Sequence, residues 1–470
     1  MADTIIELFE NRVNASGIAP ALFYSRDGLW ESQSWKDWWE QSERVAAGLL
    51  EWGVRPGDTV VLVVSTRLEW AWLDMAMAMI QVVTVPIEHD MAPDRCAEIL
   101  AEVRPRALVV EDPALLRRIA ASADTIPARV VCLDEEILLF GQESKESTNI
   151  RPGTRRSLPE LVAHGRRDLS RDHGKVARLR RETRPETPAS IVYTAGTSGE
   201  ARGVLLSHGG FAAQVSNLSA LGLFTSDDLQ LLAIPLASIF AKTLYLTGIG
   251  CGMKLAFGSK KGRCIDDLVE VRPTVLAGMP SVFAGLREEL EEPRDGAPFS
   301  TRFFEIAHSR GLVIQRRLAF GGIRAKIARV EGNLLKKGFF SEFHDLMGGR
   351  LRVLLSGGAT LEASLAEWFG ALGVPILDGY GLTEACGAVT LNLPEDFKYG
   401  TVGRPVPGVD VTIAEDHEVL LKAKTKMLGY IGDHSPGIDE EGWLHTSDLG
   451  YFDRQGFLTL TGRKTDHEKN

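Results

Sequence analysis

The chain has 470 residues, 44% hydrophobic and 25% charged, with 63 acidic against 53 basic side chains and a formal net charge of −10. That length supports two or three sub-cores, and that charge excludes a global basic field that would recruit nucleic acid. Five widely spaced cysteines (Cys96, Cys132, Cys251, Cys264, Cys386) with no Cys-x-x-Cys pair favour free thiols in a reducing compartment over a disulfide framework or a zinc site.

The first residues, MADTIIELFENR, carry early acids and no long apolar core, so no signal peptide is read there, and a cytoplasmic enzyme is expected. Ser34 opens SWKDWWEQSERVAAGLLEWG. Trp35, Trp38, Trp39, Ala46 and Leu49 fall on one face at helical spacing, Ser34 with Asp37 resembles a capping box, and Gly53 suits the helix end. The tryptophans read as core packing. A strand is expected over 57–65, a helix over 68–81, a strand over 82–87, a helix over 96–103 and a strand over 107–112. The most apolar stretch, 71–87, contains Asp74 and Gln81 and reads as buried helix and strand rather than a membrane span. Near-continuous apolar strands alternating with helices predict a parallel sheet covered on both faces. Residues 142–188, rich in Arg, Ser, Glu and Pro, break the rhythm and read as a charged surface linker or insertion.

Next comes YTAGTSGEARGV (193–204), directly after the apolar run 189–192. Glycine removes the Cβ that blocks close approach, hydroxyls add donors, and Arg202 supplies one positive charge. Alone, the stretch fits a phosphate cradle or a flexible connection equally well; the Walker spacing is absent. A second alternating series follows, with strands at 229–236, 254–258, 274–280, 350–359 and 374–381. SGGATL (356–361) and DGYGLTEACG (378–387) place glycines and small polar residues at strand ends, where ligands sit in open α/β sheets. Tyr380, between Gly379 and Gly381, would offer an exposed ring to a purine, and Glu384 a carboxylate to magnesium beside a triphosphate. Packing for Tyr380, and a helix first turn for Glu384, remain open alternatives. From about 400 the pattern changes to short strands and turns, Gln455-Gly456 among them, which reads as a small antiparallel, barrel-like unit.

The ordered set YTAGTSGEARGV, SGGATL, DGYGLTE, TVGRPVPG and GWLHTSDLGYFDRQGFLTLTGRKTD resembles the adenylate-forming superfamily of acyl-CoA synthetases, luciferases and peptide-synthetase adenylation domains, over about residues 7 to 466. The chain looks most like bacterial long-chain fatty acyl-CoA synthetases, through VVTVPIEHDMAPDRCAEILAEVRPRALVVED, the section RFFEIAHSRGLVIQRR ahead of LLSGGA, and GTVGRPVPGVDVTIAEDHEVLLKA. The resemblance implies an α/β fold: a large N-terminal domain over 1–461, made of α/β subdomains 1–190 and 191–398 and a β subdomain 399–461. Residues 462–470 would be a hinge to a small C-terminal domain that this chain lacks. It implies ATP-dependent activation of a medium- or long-chain fatty acid as acyl-AMP, then thioesterification to coenzyme A in the intact protein. The alternatives are an acyl-AMP ligase that loads a carrier protein, and a catalytically impaired nucleotide-binding homologue. No nucleic acid partner and at most a peripheral membrane contact are expected.

By position, the resemblance assigns Thr194, Gly196, Thr197, Ser198 and Gly199 to the triphosphate loop, and Gly357, Gly358 and Ala359 to the strand end beside adenine. Asp378, Gly379, Tyr380 and Gly381 belong to the same nucleotide site, with the ring of Tyr380 stacked on the base. Thr383 matches a phosphate contact, Glu384 the magnesium ligand, and Asp448 and Arg463 the ribose contacts. Thr197, Arg202 and Glu384 are the expected catalytic groups, and Ser238, Gly278 and Gly381 the expected acyl-pocket residues. Three departures stand out. Arg202 replaces the family's lysine and the loop lacks its proline; Ser238 stands where long-chain members carry histidine; and the chain ends shortly after Asp466, which is expected to reflect a cut. Gly248, Gly250 and Gly252 fit either room for an acyl chain or close helix packing. His208 and His445 are expected to be structural or positional, Cys386 to be no nucleophile, and the basic run 260–263 to be a solvated loop.

Overall fold

The computed structural model describes residues 2–134, 155–172, 174–194, 202–259, 264–291, 309, 341–432 and 437–464. The strands Thr59–Val63, Val83–Ile87, Ala107–Val110 and Val130–Cys132 are short runs dominated by β-branched residues. Successive side chains point to opposite faces: Val60 and Leu62 enter one core, Val61 and Val63 another. Burial on both faces is why such strands read as continuous apolar runs.

They form the centre of an eight-stranded sheet ordered Gly429–Tyr430, Arg202–Ser207, Pro188–Thr194, Val83–Ile87, Thr59–Val63, Ala107–Val110, Val130–Cys132, Arg155–Ser157. It is parallel from Pro188–Thr194 onward, and the first two strands are added antiparallel. A nine-stranded sheet runs Arg404–Pro405, Gly387–Leu391, Ile376–Leu382, Val353–Ser356, Val275–Gly278, Leu229–Leu232, Lys254–Phe257, Pro20–Arg26, Leu29–Ser34. A four-stranded antiparallel sheet (Val409–Ile413, Glu418–Ala423, Leu444–Phe452, Leu458–Arg463) completes the expected third unit.

The helices Leu68–Met79, His208–Ala220 and Ile239–Cys251 lie in one core shared by the two large sheets, where Trp35, Trp38, Trp70, Phe211 and Tyr245 are fully buried. Pro93–Val103 and Pro113–Ser122 cover the outer face of the first sheet. Cys264–Val271, Pro280–Glu291 and Ala363–Ala371 cover that of the second. No helix among the described residues is long and apolar enough to cross a membrane. Sheet membership departs from chain order. Pro20–Arg26 joins the later strands, and the hairpin 188–207 spans the expected division at 190/191 within one sheet.

Local signals are met closely in the helix Trp35–Glu51. Ser34 Oγ accepts from Asp37 N at 3.1 Å while Asp37 Oδ2 accepts from Ser34 N at 3.0 Å, completing the capping box. Gly53 follows at φ +90. The linker expected over 142–188 is corrected for its second half; residues 135–154 lie outside the described ones. Leu158–Arg171 and Gly174–Glu182 are helices, and Ser157 with Glu160 forms a second capping box. The first of these helices packs its backbone against Trp35–Glu51 through glycines. A Cβ on Gly165 would stand 1.8 Å from the Arg44 carbonyl oxygen, and one on Gly48 2.3 Å from that of Leu161. Charge on the solvent face hid a contact that needs few large apolar side chains. Gly165→Val should therefore destabilise the fold by about 1–3 kcal/mol through overpacking, read as a lower urea midpoint at unchanged m-value.

Candidate active site

The strands Pro188–Thr194 and Arg202–Ser207 form an antiparallel hairpin whose base pairs Thr194 with Arg202. Gly196, Thr197, Ser198 and Gly199 belong to its connection and lie outside the described residues, as do the basic run 260–263 and Asp466. Gly429–Tyr430 pairs with the outer strand, Tyr430 opposite Val204. This register carries Tyr430 to the mouth of the loop. Its ring centroid lies 5.6 Å from the Arg202 guanidinium carbon, and its hydroxyl donates to Glu384 Oε1 at 3.0 Å. Burial and the Glu384 carboxylate push the Tyr430 hydroxyl up to about 12, against the pull of Arg202. Arg202 and Glu384, expected as catalytic, are thus brought together by a tyrosine that sequence reasoning missed. Its only local signal was one aromatic after Gly429.

Glu384 sits in a single 3-10 turn, Thr383–Ala385, ended by Cys386 at φ +60. Backbone bonds hold the turn, from Cys386 N to Thr383 O and from Met427 N to Glu384 O. Thr383 is buried within it. No cluster of three or more metal-ligating side chains exists among the described residues. One half-buried carboxylate suits a magnesium ion that takes its remaining ligands from phosphate and water, so the donor chemistry fits the expected metal.

Asp378, Gly379, Tyr380 and Gly381 do not lie beyond a strand end. They continue the strand Ile376–Leu382: Asp378 pairs with Ser356 of the parallel neighbour, and Gly379, Tyr380 and Gly381 pair antiparallel with Gly387–Leu391. Tyr380 is accordingly 8% exposed, correcting the expected exposed ring. Its hydroxyl donates to Asp448 Oδ2 at 2.6 Å, and Arg463 Nε lies 2.7 Å from Asp448 Oδ1. Asp448 and Arg463 are register partners on neighbouring strands, which is why they meet. Burial, then Asp448, raises the Tyr380 hydroxyl far above its ordinary value. Burial pushes the Asp378 carboxyl up to about 7, against the lowering pull of Ser356 and the Gly379 amide.

Gly357, Gly358 and Ala359 follow the strand Val353–Ser356 as expected. Gly357 and Gly358 border a cleft, partly open to solvent, that Gly379, Tyr380 and Gly381 also line. Leu218, Phe224, Ile239, Phe240, Thr243 and Leu244 supply apolar lining. No local signal marks these residues, because three separate segments supply them. Gly381 lines the cleft; the other two expected acyl-pocket residues do not. Ser238 caps the helix Ile239–Cys251, accepting from Ala241 N. A Cβ on Gly278 would meet Val282 at 2.9 Å, so that glycine serves packing. The same holds for Gly248 and Gly250, whose Cβ atoms would stand 2.8 Å from Leu255 and 2.4 Å from Val215, while Gly252 caps the helix at φ +80.

His208 is buried, and burial with the charge of Lys242 pushes its imidazole down to about 3. His445 Nδ1 lies 2.9 Å from Glu418 Oε2, whose partner Oε1 accepts from Ser447 N at 2.8 Å. The His208 ring is thus enclosed in the core, and the His445 ring is tied to Glu418. Burial raises the Cys386 thiol far from nucleophilic range.

Comparison with known proteins gives a consistent result. A profile described as AMP-binding enzyme matches residues 9–437. The long-chain-fatty-acid–CoA ligase FadD15 of Mycobacterium tuberculosis is 29% identical over 455 residues, covering 95% of this chain and 72% of the relative. The long-chain-fatty-acid–CoA ligase ACSBG2 of Xenopus laevis is 26% identical over 490 residues, covering 98% and 63%. Among solved structures, the N-terminal domain of FACL13 from Mycobacterium tuberculosis superposes with a TM-score of 0.71 at 19% identity, covering 98% of this chain and all of that one. O-succinylbenzoate coenzyme A synthetase from Bacillus subtilis, in complex with AMP, gives 0.68 at 18% identity, covering 98% and 79%.

Proposed function

The chain belongs to the AMP-binding enzyme family, and on that premise we propose that it activates a fatty acid with ATP as acyl-AMP and, in the intact protein, transfers the acyl group to coenzyme A. One observation carries the reading. An apolar cleft bordered by Gly357 and Gly358 shares Tyr380 with the Tyr380–Asp448–Arg463 constellation, so an acyl chain and a nucleotide can meet at one wall.

Asp448 and Arg463 grip the ribose hydroxyls, and Tyr380 with Gly357, Gly358 and Ala359 borders the base. The loop carrying Gly196, Thr197, Ser198 and Gly199, with Thr194 and Arg202 at its base, embraces the triphosphate. A carboxylate oxygen of the acid forms a bond to the α-phosphorus, and the bond from that phosphorus to pyrophosphate breaks. Negative charge spreads over the phosphate oxygens as this happens. Preorganised amides, hydroxyls and the Arg202 guanidinium stabilise it without a covalent nucleophile from the protein. Glu384 would hold a magnesium ion, which would neutralise phosphate charge there.

The test is pyrophosphate release from ATP by the full-length protein across acids of increasing chain length. Release that requires an acid and rises with apolar chain length is expected, since each buried methylene contributes about 0.8 kcal/mol. ATP binding without release for any acid would leave only the non-catalytic reading.

A further inference from the structure

A charged side chain lies deep in the core shared by the two large sheets. Lys242, on the helix Ile239–Cys251, is 1% exposed. Its Nζ lies 5.6 Å from the ring centroid of Trp70 and 5.4 Å from that of Phe211. Its ion-pair partner is Asp74 on the helix Leu68–Met79, 3% exposed, with Nζ to Oδ1 at 2.8 Å. Nζ also lies 3.5 Å from Ser190 Oγ, on the strand that runs into the triphosphate loop, and Ser190 Oγ donates to Thr84 O at 2.9 Å. Beside this pair, the His208 ring nitrogens and the Tyr245 hydroxyl have no hydrogen-bond partner among the described residues.

The next residue faces the other way. Thr243 lines the acyl cleft, and its Oγ1 donates to Cys386 O at 3.1 Å. Cys386 closes the Glu384 turn, and the following Gly387 stands so near that a Cβ there would lie 2.6 Å from Thr243 Oγ1. One helical turn therefore touches the strand feeding the triphosphate loop, the wall of the cleft and the turn that presents Glu384. A buried ion pair is weak support for a fold, because apolar residues of similar volume often serve stability as well or better. What such a pair supplies in this place is a fixed relative position for the elements it joins.

We propose that Lys242, held by Asp74, is a positioning residue for adenylation: it sets the triphosphate-loop strand against the cleft helix and, through Thr243 and the Cys386 carbonyl, the Glu384 turn. The proposal rests on the functional reading above. It is tested in the full-length protein with Lys242→Met, the paired Asp74→Asn with Lys242→Met, and Thr243→Val. The readouts are Tm, kcat for acid-dependent pyrophosphate release per folded molecule, and the magnesium concentration for half-maximal rate. Lys242→Met should lower Tm by leaving Asp74 uncompensated, and the paired variant should recover most of that loss. Both should lose roughly tenfold or more in kcat, as supporting contacts of a metal ligand do, and all three should need more magnesium. A paired variant with recovered Tm and wild-type kcat and magnesium dependence would make the ion pair merely structural and overturn the proposal. Unchanged magnesium dependence in Thr243→Val would overturn the link to Glu384. An active wild type confines either failure to this inference, whereas a wild type without acid-dependent release overturns the functional reading and the inference with it.

Discussion

Glu384→Ala should lower acid-dependent pyrophosphate release by about 100-fold or more, even at saturating magnesium, because the charge developing on the leaving pyrophosphate loses its fixed counter-ion site. The carboxylate is held from two directions. Tyr430 donates to Oε1 at 3.0 Å, and the Met427 amide clamps the turn backbone at 2.8 Å. The residue is only half-buried and its removal opens no large cavity, so the protein should stay folded, with Tm shifted by a few degrees at most. ATP binding measured without metal should change little, which separates loss of the ion site from collapse of the nucleotide pocket. A wild-type rate at saturating magnesium would remove Glu384 from the mechanism.

Asp448→Ala should act on the nucleotide instead. Asp448 is 4% exposed, and both its oxygens are engaged, one by Tyr380 and one by Arg463. Charge-assisted hydrogen bonds of this kind are worth about 1.5–3 kcal/mol each. On the proposed ribose role, losing two such bonds to the nucleotide should weaken ATP binding by roughly 100-fold or more, read by calorimetry or by the ATP concentration dependence of pyrophosphate release. The substitution also leaves the Tyr380 hydroxyl buried without its acceptor, so a measurable loss of thermal stability should accompany it. Unaltered ATP affinity would show that Asp448 serves only to tie the strand Ile376–Leu382 to the antiparallel sheet.

The two variants probe parts of the site that differed in how readable they were. Asp448 and Arg463 were each visible in GWLHTSDLGYFDRQGFLTLTGR, and their pairing follows from the antiparallel register of two adjacent strands. The Glu384 environment was not visible. Tyr430 reaches it only because Gly429–Tyr430 returns from the far end of the chain to the edge of the first sheet. The cleft was harder still. Leu218, Phe224 and Phe240 look like ordinary core residues in any local window, and only the meeting of two helices with a glycine-rich strand end leaves space among them. Ser238 and Gly278 illustrate the converse: small residues at suggestive places that a helix cap and a tight contact account for fully.

Sequence by itself determined what depends on neighbours along the chain. The Ser34–Asp37 capping box, the two-sided strands such as 59–63 and 107–110, the glycine-bearing strand end at 357–358 and the order of the nucleotide motifs were all legible, because caps, periodicity and turn chemistry act over a few residues. Only the tertiary structure decided how the strands divide between the sheets, that Leu158–Arg171 and Gly174–Glu182 are helices and the first packs through Gly48 and Gly165, that Tyr380 is covered, and that Asp74 meets Lys242 in the core. Those outcomes depend on which surfaces come to face one another, and a periodic pattern records that a face is apolar without recording what buries it.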